Sequence, residues 1–157
     1  MAIRRIVYIE DELLRKKSRK VEAFDHKLHT LLDDMAQTMR DANGVGLAAP
    51  QVAVLKRAVV IDVGDEHGLI ELVNPEIIAR EGEQDGTEGC LSVPGRQGRV
   101  IRPQKVTVRA QDRNGEWFEL TGENLLARCI CHETDHLDGR LYVDVMYKEV
   151  FADDKEE

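Results

Sequence analysis

No apolar run in the sequence is long enough to span a bilayer, and cysteine is scarce, with three in 157 residues. The first absence excludes a helical membrane anchor. Behind Met1-Ala2-Ile3-Arg4-Arg5 there is no long apolar region of the kind a secretory or twin-arginine leader carries, so a cytoplasmic protein is expected. An odd, small number of cysteines in a reducing compartment excludes a disulfide framework and points to free thiols or metal ligands. Positive charge is also short: 22 Lys and Arg stand against 30 Asp and Glu, a formal net charge of -8. That balance argues against specific nucleic-acid binding. Repeats and low-complexity segments are missing too. What remains, with 42% hydrophobic residues, suits a single domain with one sizeable core over residues 1–150, followed by an acidic, frayed tail at 151–157.

One stretch stands out: Cys131-His132-Glu133-Thr134-Asp135-His136-Leu137-Asp138-Gly139. At 3.6 residues per turn, His132 and His136 share a helix face and can hold one metal ion between them. Glu133, beside the metal and not bound to it, can take a proton from water there, which makes hydrolysis the first hypothesis.

The remaining pattern frames this helix. Leu28, Leu31, Leu32, Met35 and Met39 recur at helical spacing between Asp25 and Ala42, and Asn43-Gly44 stops that helix. Residues 3–9 and the basic patch that follows read as an irregular or extended arm. Gly44-Val45-Gly46-Leu47-Ala48-Ala49-Pro50-Gln51 matches a dinucleotide fingerprint only superficially, because a helix precedes it and Pro50 disfavours one after it. A loop of small residues instead lets backbone groups and the Gln51 side chain approach a ligand. Strands are predicted at 58–63, 69–73, around 77–78 and at 141–145, with a hairpin of 106–110 and 117–120 about Asn114-Gly115. The second helix runs from about Glu123 to Leu137, with Gly139 as its stop. Strands that cluster before a late helix indicate an α+β fold, with mostly antiparallel sheets packed around a central metal-binding helix and one earlier amphipathic helix.

Three cysteines compete to be the third ligand. Cys131 points roughly 100° away from His132 around the helix. Cys129 lies on the histidine face, but about 7 Å of axial rise separates it from the metal, against a cysteine reach of roughly 5 Å. It suits the core or the pocket wall. Cys90, in the loop Glu88-Gly89-Cys90-Leu91-Ser92-Val93-Pro94-Gly95, has no such restriction and is the best candidate. Two histidines and one cysteine leave a fourth position for water, which favours a catalytic over a structural site. A zincin-type peptidase and a metal-stabilised binding module stay as rivals.

Three blocks in order, Gly44 to Gln51, Glu88 to Ser92 and His132 to Gly139, closely resemble the peptide deformylase family. The resemblance implies removal of the formyl group from N-formylmethionine at the start of nascent polypeptides. It also implies metal binding by Cys90, His132 and His136, natively of Fe(II), with zinc, nickel or cobalt as substitutes. By the same resemblance Glu133 is general base and then acid, and the Gln51 side chain and the Leu91 backbone N–H stabilise the oxyanion. Val45, Gly46, Gly89 and Cys129 would hold the substrate, the peptide lying extended as an added strand. Two departures are visible: Cys131 stands where the family most often has glutamine, and residues 153–157 are acidic where several members continue into a helix associated with ribosome docking. Weak ribosome association is the resulting expectation.

Overall fold

The structure, a computed structural model, describes residues 2–151; all but the first residue of the expected acidic tail lie outside them. Its first helix, α1 (His26–Asp41), begins where the Asp25 side chain accepts a hydrogen bond from the Leu28 N–H. It ends at Asn43, which takes up a left-handed φ of 59°. Leu28, Leu32, Met35 and Met39 are fully buried along one face, so both methionines fill core space.

Five strands form one antiparallel sheet in the order β1-β2-β3-β6-β7: β1 (Gly46–Ala48), β2 (Ala58–Ile61), β3 (Ile70–Glu81), β6 (Lys105–Gln111) and β7 (Trp117–Glu123). Side chains alternate across a strand, and β2 uses both faces. Ala58 and Val60 pack with α1, whereas Val59 and Ile61 pack with the second helix, α2 (Leu125–Leu137). The apolar run 58–61 is therefore a strand covered on both sides. A second antiparallel sheet, β4 (Gln84–Cys90), β5 (Val93–Arg102) and β8 (Lys148–Val150), covers a smaller core of Leu14, Val93, Val100, Leu141 and Tyr142. The α+β reading of two helices with mostly antiparallel sheet holds.

Several local expectations are corrected. The arm contains a short 3-10 turn, Glu12–Arg15, because Asp11 caps the Leu13 N–H and Leu14 is buried. The small-residue loop is an edge strand, β1, followed by a 3-10 turn at Ala49–Val52 that accepts Pro50 in its first positions, where a missing N–H costs nothing. The separate strands at 69–73 and 77–78 are one strand, β3. Asn74-Pro75 looks like a turn but forms a bulge, where Asn74 sits at φ 51° and its amide bonds both backbone groups of Val21. The Cys90 loop is the end of the β4–β5 hairpin. At 141–145 there is a 3-10 turn, Tyr142–Asp144, closed by Asp144 accepting the Leu141 N–H, and the last strand comes later at β8.

The end of α2 fixes where His136 stands. The Arg140 N–H donates to the Asp135 carbonyl and the Gly139 N–H to the His136 carbonyl, a Schellman closure with Gly139 at φ 77°. A Cβ at residue 139 would collide with the Arg15 carbonyl. Gly139→Ala should therefore lower the melting temperature by about 2–8 °C, from a left-handed penalty of about 1–2 kcal/mol. Thermal unfolding followed by circular dichroism checks this, and an unchanged midpoint would show that the closure is dispensable.

Candidate active site

Helix α2 is buried almost along its whole length, so its polar residues are held inside the protein and must find partners there. His132 and His136, one turn apart, have ring centroids 5.2 Å apart. The end of β4 brings Cys90 to them: one donor atom from each of Cys90, His132 and His136 lies within 4.8 Å of the others, and Cys90 Sγ is 3.4 Å from His136 Nε2. Ligand atoms around a tetrahedral ion with bonds of about 2.0–2.3 Å are roughly 3.3–3.8 Å apart, so these donors fit one metal. Burial pushes the His136 imidazole well below its ordinary pKa, aided by the charges of His132 and Arg102. At His132 burial is outweighed by the charges and hydrogen bonds of Glu133, Cys90 and Glu88, which hold that imidazole well above its ordinary pKa. Ligation requires the neutral form of both, so metal binding would displace a proton from His132. Cys129 lies outside the donor group and packs into the core while lining the cleft; Cys131 is buried in the same core.

Behind the donors stands Glu88, almost wholly buried. Its Oε1 is 2.9 Å from His132 Nδ1, which leaves Nε2 to face the metal position. Arg102 grips the same carboxylate with two hydrogen bonds of 2.8 and 2.9 Å, and Arg128 adds a third of 2.6 Å. Burial pushes the Glu88 carboxyl up, but the hydrogen bonds and charges of Arg102 and His132 outweigh it and hold the pKa far below the usual carboxylate range. Arg102 also bonds Asp135, so β4, β5 and two turns of α2 share one polar cluster.

Glu133 faces a different environment. It too is buried, and Oε1 has no hydrogen-bond partner among the described residues. Burial pushes its carboxyl up to about 7, against the lowering effect of the His132 charge. Room for it is made by Gly46, where a Cβ would come within 2.5 Å of Glu133 Oε2. Gln51, from the 3-10 turn, accepts the Ala48 N–H on Oε1 at 2.9 Å and turns Nε2 to within 3.5 Å of Cys90 Sγ. A cleft of about 470 Å³ opens beside these groups, lined by Val45, Gly46, Gln51, Gly89, Cys90, Leu91, Cys129, His132 and Glu133. Every site residue singled out in the sequence thus lines the cleft or, like His136, joins the donor cluster. The chemistry available is that of a metal-assisted hydrolysis: three ligands, a carboxylate of raised pKa and an amide donor around one opening.

Sequence reasoning missed Glu88, Arg102, Arg128 and Asp135 as a unit, and Ser92 as the acceptor of a Gln51 hydrogen bond at 3.0 Å. The one available signal was the position of Glu88 two residues before the ligand candidate. Glu88→Gln should weaken metal affinity about 10–100-fold, as loss of a partner to a ligating histidine does. Competition with a chromophoric chelator measures it, and wild-type affinity would refute the orienting role.

The polypeptide deformylase family model matches residues 3–151. A peptide deformylase of Caldicellulosiruptor bescii is 60% identical over 157 residues, covering 100% of this chain and 93% of that protein. The crystal structure of a peptide deformylase from Legionella pneumophila has a TM-score of 0.89 at 55% identity and covers 92% of this chain and 86% of that one. That of a peptide deformylase from Synechococcus elongatus in complex with actinonin has a TM-score of 0.86 at 42% identity, covering 91% and 78%. With the match running through both sheets, both helices and the whole cleft, the chain belongs to the polypeptide deformylase family.

Proposed function

We propose that the protein removes the N-terminal formyl group from the formylmethionine of nascent polypeptides, releasing formate. The observation that carries the reading is the meeting of Cys90, His132 and His136 within 4.8 Å, beside a buried Glu133 with one unpartnered oxygen. Members of this family depend on a metal, and these three residues would hold one divalent ion. Fe(II) is the native ion on this reading, with Zn, Ni or Co as substitutes; one thiolate and two imidazoles suit Fe(II) and Zn alike. When bound, the ion supplies Lewis acidity, lowering the pKa of water and polarising the formyl oxygen.

The chain's own groups do the rest. Glu133 takes a proton as water adds to the formyl carbon and returns it to the amide nitrogen as the C–N bond breaks, which leaves formate and a free amino terminus. The Gln51 Nε2 group and the Leu91 backbone N–H donate to the formyl oxygen as it gains charge. β1 and β4 are terminal strands of their respective sheets, and both border the cleft. A peptide laid between them would pair with backbone groups near Val45-Gly46 and Gly89, with Cys129 against the methionine side chain. A formyl carbon bears only hydrogen, so a narrow site admits it and rejects larger acyl groups. The reading implies a cytoplasmic enzyme that meets its substrate at translating ribosomes, with weak ribosome association. No helix among the described residues is long and apolar enough to cross a membrane.

Incubation of the metal-loaded protein with formyl-Met peptides and with unformylated peptides tests the reaction: formate is expected from the first and no internal cleavage of the second. Glu133→Gln should fold and keep its metal while kcat falls about 10²–10⁴-fold, the usual scale for a lost general base; near-normal formate release would refute the role. Cys90→Ala should be purified without tightly bound metal and Cys129→Ala with it. Metal analysis of the two proteins decides this, and equal retention would remove Cys90 from the ligand set.

A further inference from the structure

Ser92 sits at the turn between β4 and β5, has no exposed surface, and is neither in the metal-donor cluster nor among the cleft-lining residues. Its hydroxyl oxygen accepts a hydrogen bond from Gln51 Nε2 at 3.0 Å. The same nitrogen lies 3.5 Å from Cys90 Sγ. A carboxamide –NH2 carries two hydrogens in one plane, about 120° apart, so fixing one fixes the direction of the other. With one hydrogen on Ser92 Oγ, the second is donated toward Cys90 Sγ, the side on which the proposed function holds the formyl oxygen. At the far end of the amide, the Ala48 N–H bonds Oε1 at 2.9 Å. The Ala48 N–H can only donate, so it excludes the flipped amide, which would turn its oxygen toward the reacting centre and repel developing negative charge; the Ser92 hydroxyl then sets the direction of the remaining N–H.

Backbone contacts hold both members of the pair. The Val7 N–H donates to the Gln51 carbonyl at 2.7 Å and the Ile9 N–H to the Ser92 carbonyl at 2.9 Å. The arm before the first 3-10 turn therefore ties the Gln51 turn, which follows β1, to the β4–β5 turn of the other sheet. The donor and its acceptor belong to connections of two separate sheets, and the arm contacts the backbone of both.

We propose that Ser92 is a positioning residue of the deformylation site: its hydroxyl holds the Gln51 carboxamide so that one N–H points to the oxyanion. The proposal rests on Gln51 as an oxyanion donor. It acts on a charge that develops only in the transition state, so its loss appears in kcat and not in KM. Ser92→Ala, loaded with metal, should lose kcat about 10–100-fold with KM within about twofold, the scale of one misaligned donor, and with wild-type metal content and melting temperature. Ser92→Thr, which keeps the hydroxyl, should recover most of that kcat. In a Gln51→Ala background, Ser92→Ala should cost nothing further, because the group it aims is gone. Formate release by the four variants and the wild type decides it. Wild-type kcat in Ser92→Ala, an equal loss in Ser92→Thr, or the same fold-loss in both backgrounds would each overturn the proposal and leave Gln51's own role standing. An unchanged kcat in Gln51→Ala would overturn that role, and this proposal with it.

Discussion

The structure depends on one buried negative charge. Glu88 brings a carboxylate into the interior, where an unpaired ion would cost several kcal/mol, on the order of the stability of a whole domain. The hydrogen bonds of Arg102, Arg128 and His132 offset that cost. The partners come from two elements: Arg102 from β5, and Arg128 and His132 one turn apart on α2. The second sheet and the central helix are therefore joined by a contact that is satisfied only when both are in place. The same carboxylate sets which nitrogen His132 turns to the metal position, so fold and site share a keystone.

The larger sheet contributes differently. Its core is apolar and divided: alternate residues of β2 face the two helices, so α1 and α2 clasp the same strand from opposite sides. α2 is thereby held on a rigid support, and candidate ligands on a supported helix keep their geometry better than those on loops. Cys90 is the exception, arriving at the end of a hairpin, and it is steadied by the packing of β4 and β5 over Leu14, Leu141 and Tyr142.

Much of this was legible in the residues. The α1 pattern, the Asn114-Gly115 hairpin and the Gly139 stop are local signals, and each reappears in the structure because no tertiary contact opposes it. The donor set was reached by axial distance along a helix, which is also local geometry. Non-local features escaped. Asn74-Pro75 has turn chemistry but is built into a strand, where the Asn74 amide bonds both backbone groups of Val21. The β4–β5 hairpin, with Gly86, Gly89, Gly95 and Gly98 in it, lacks the apolar alternation that marks a strand. The Glu88 cluster joins residues 14 to 44 positions apart, and charged side chains in a sequence look like surface until a partner brings them inside.

The two sheet ends that border the cleft have a consequence for the breadth of the enzyme's diet. A ligand held between strand edges is recognised through amides and carbonyls that every amino acid possesses. On the proposed peptide-binding mode, discrimination is then concentrated at the first residue and is weak beyond it. An enzyme that must serve each newly made protein faces thousands of different second and third residues. A peptide paired through its backbone, as proposed, would let the cleft treat them as one substrate.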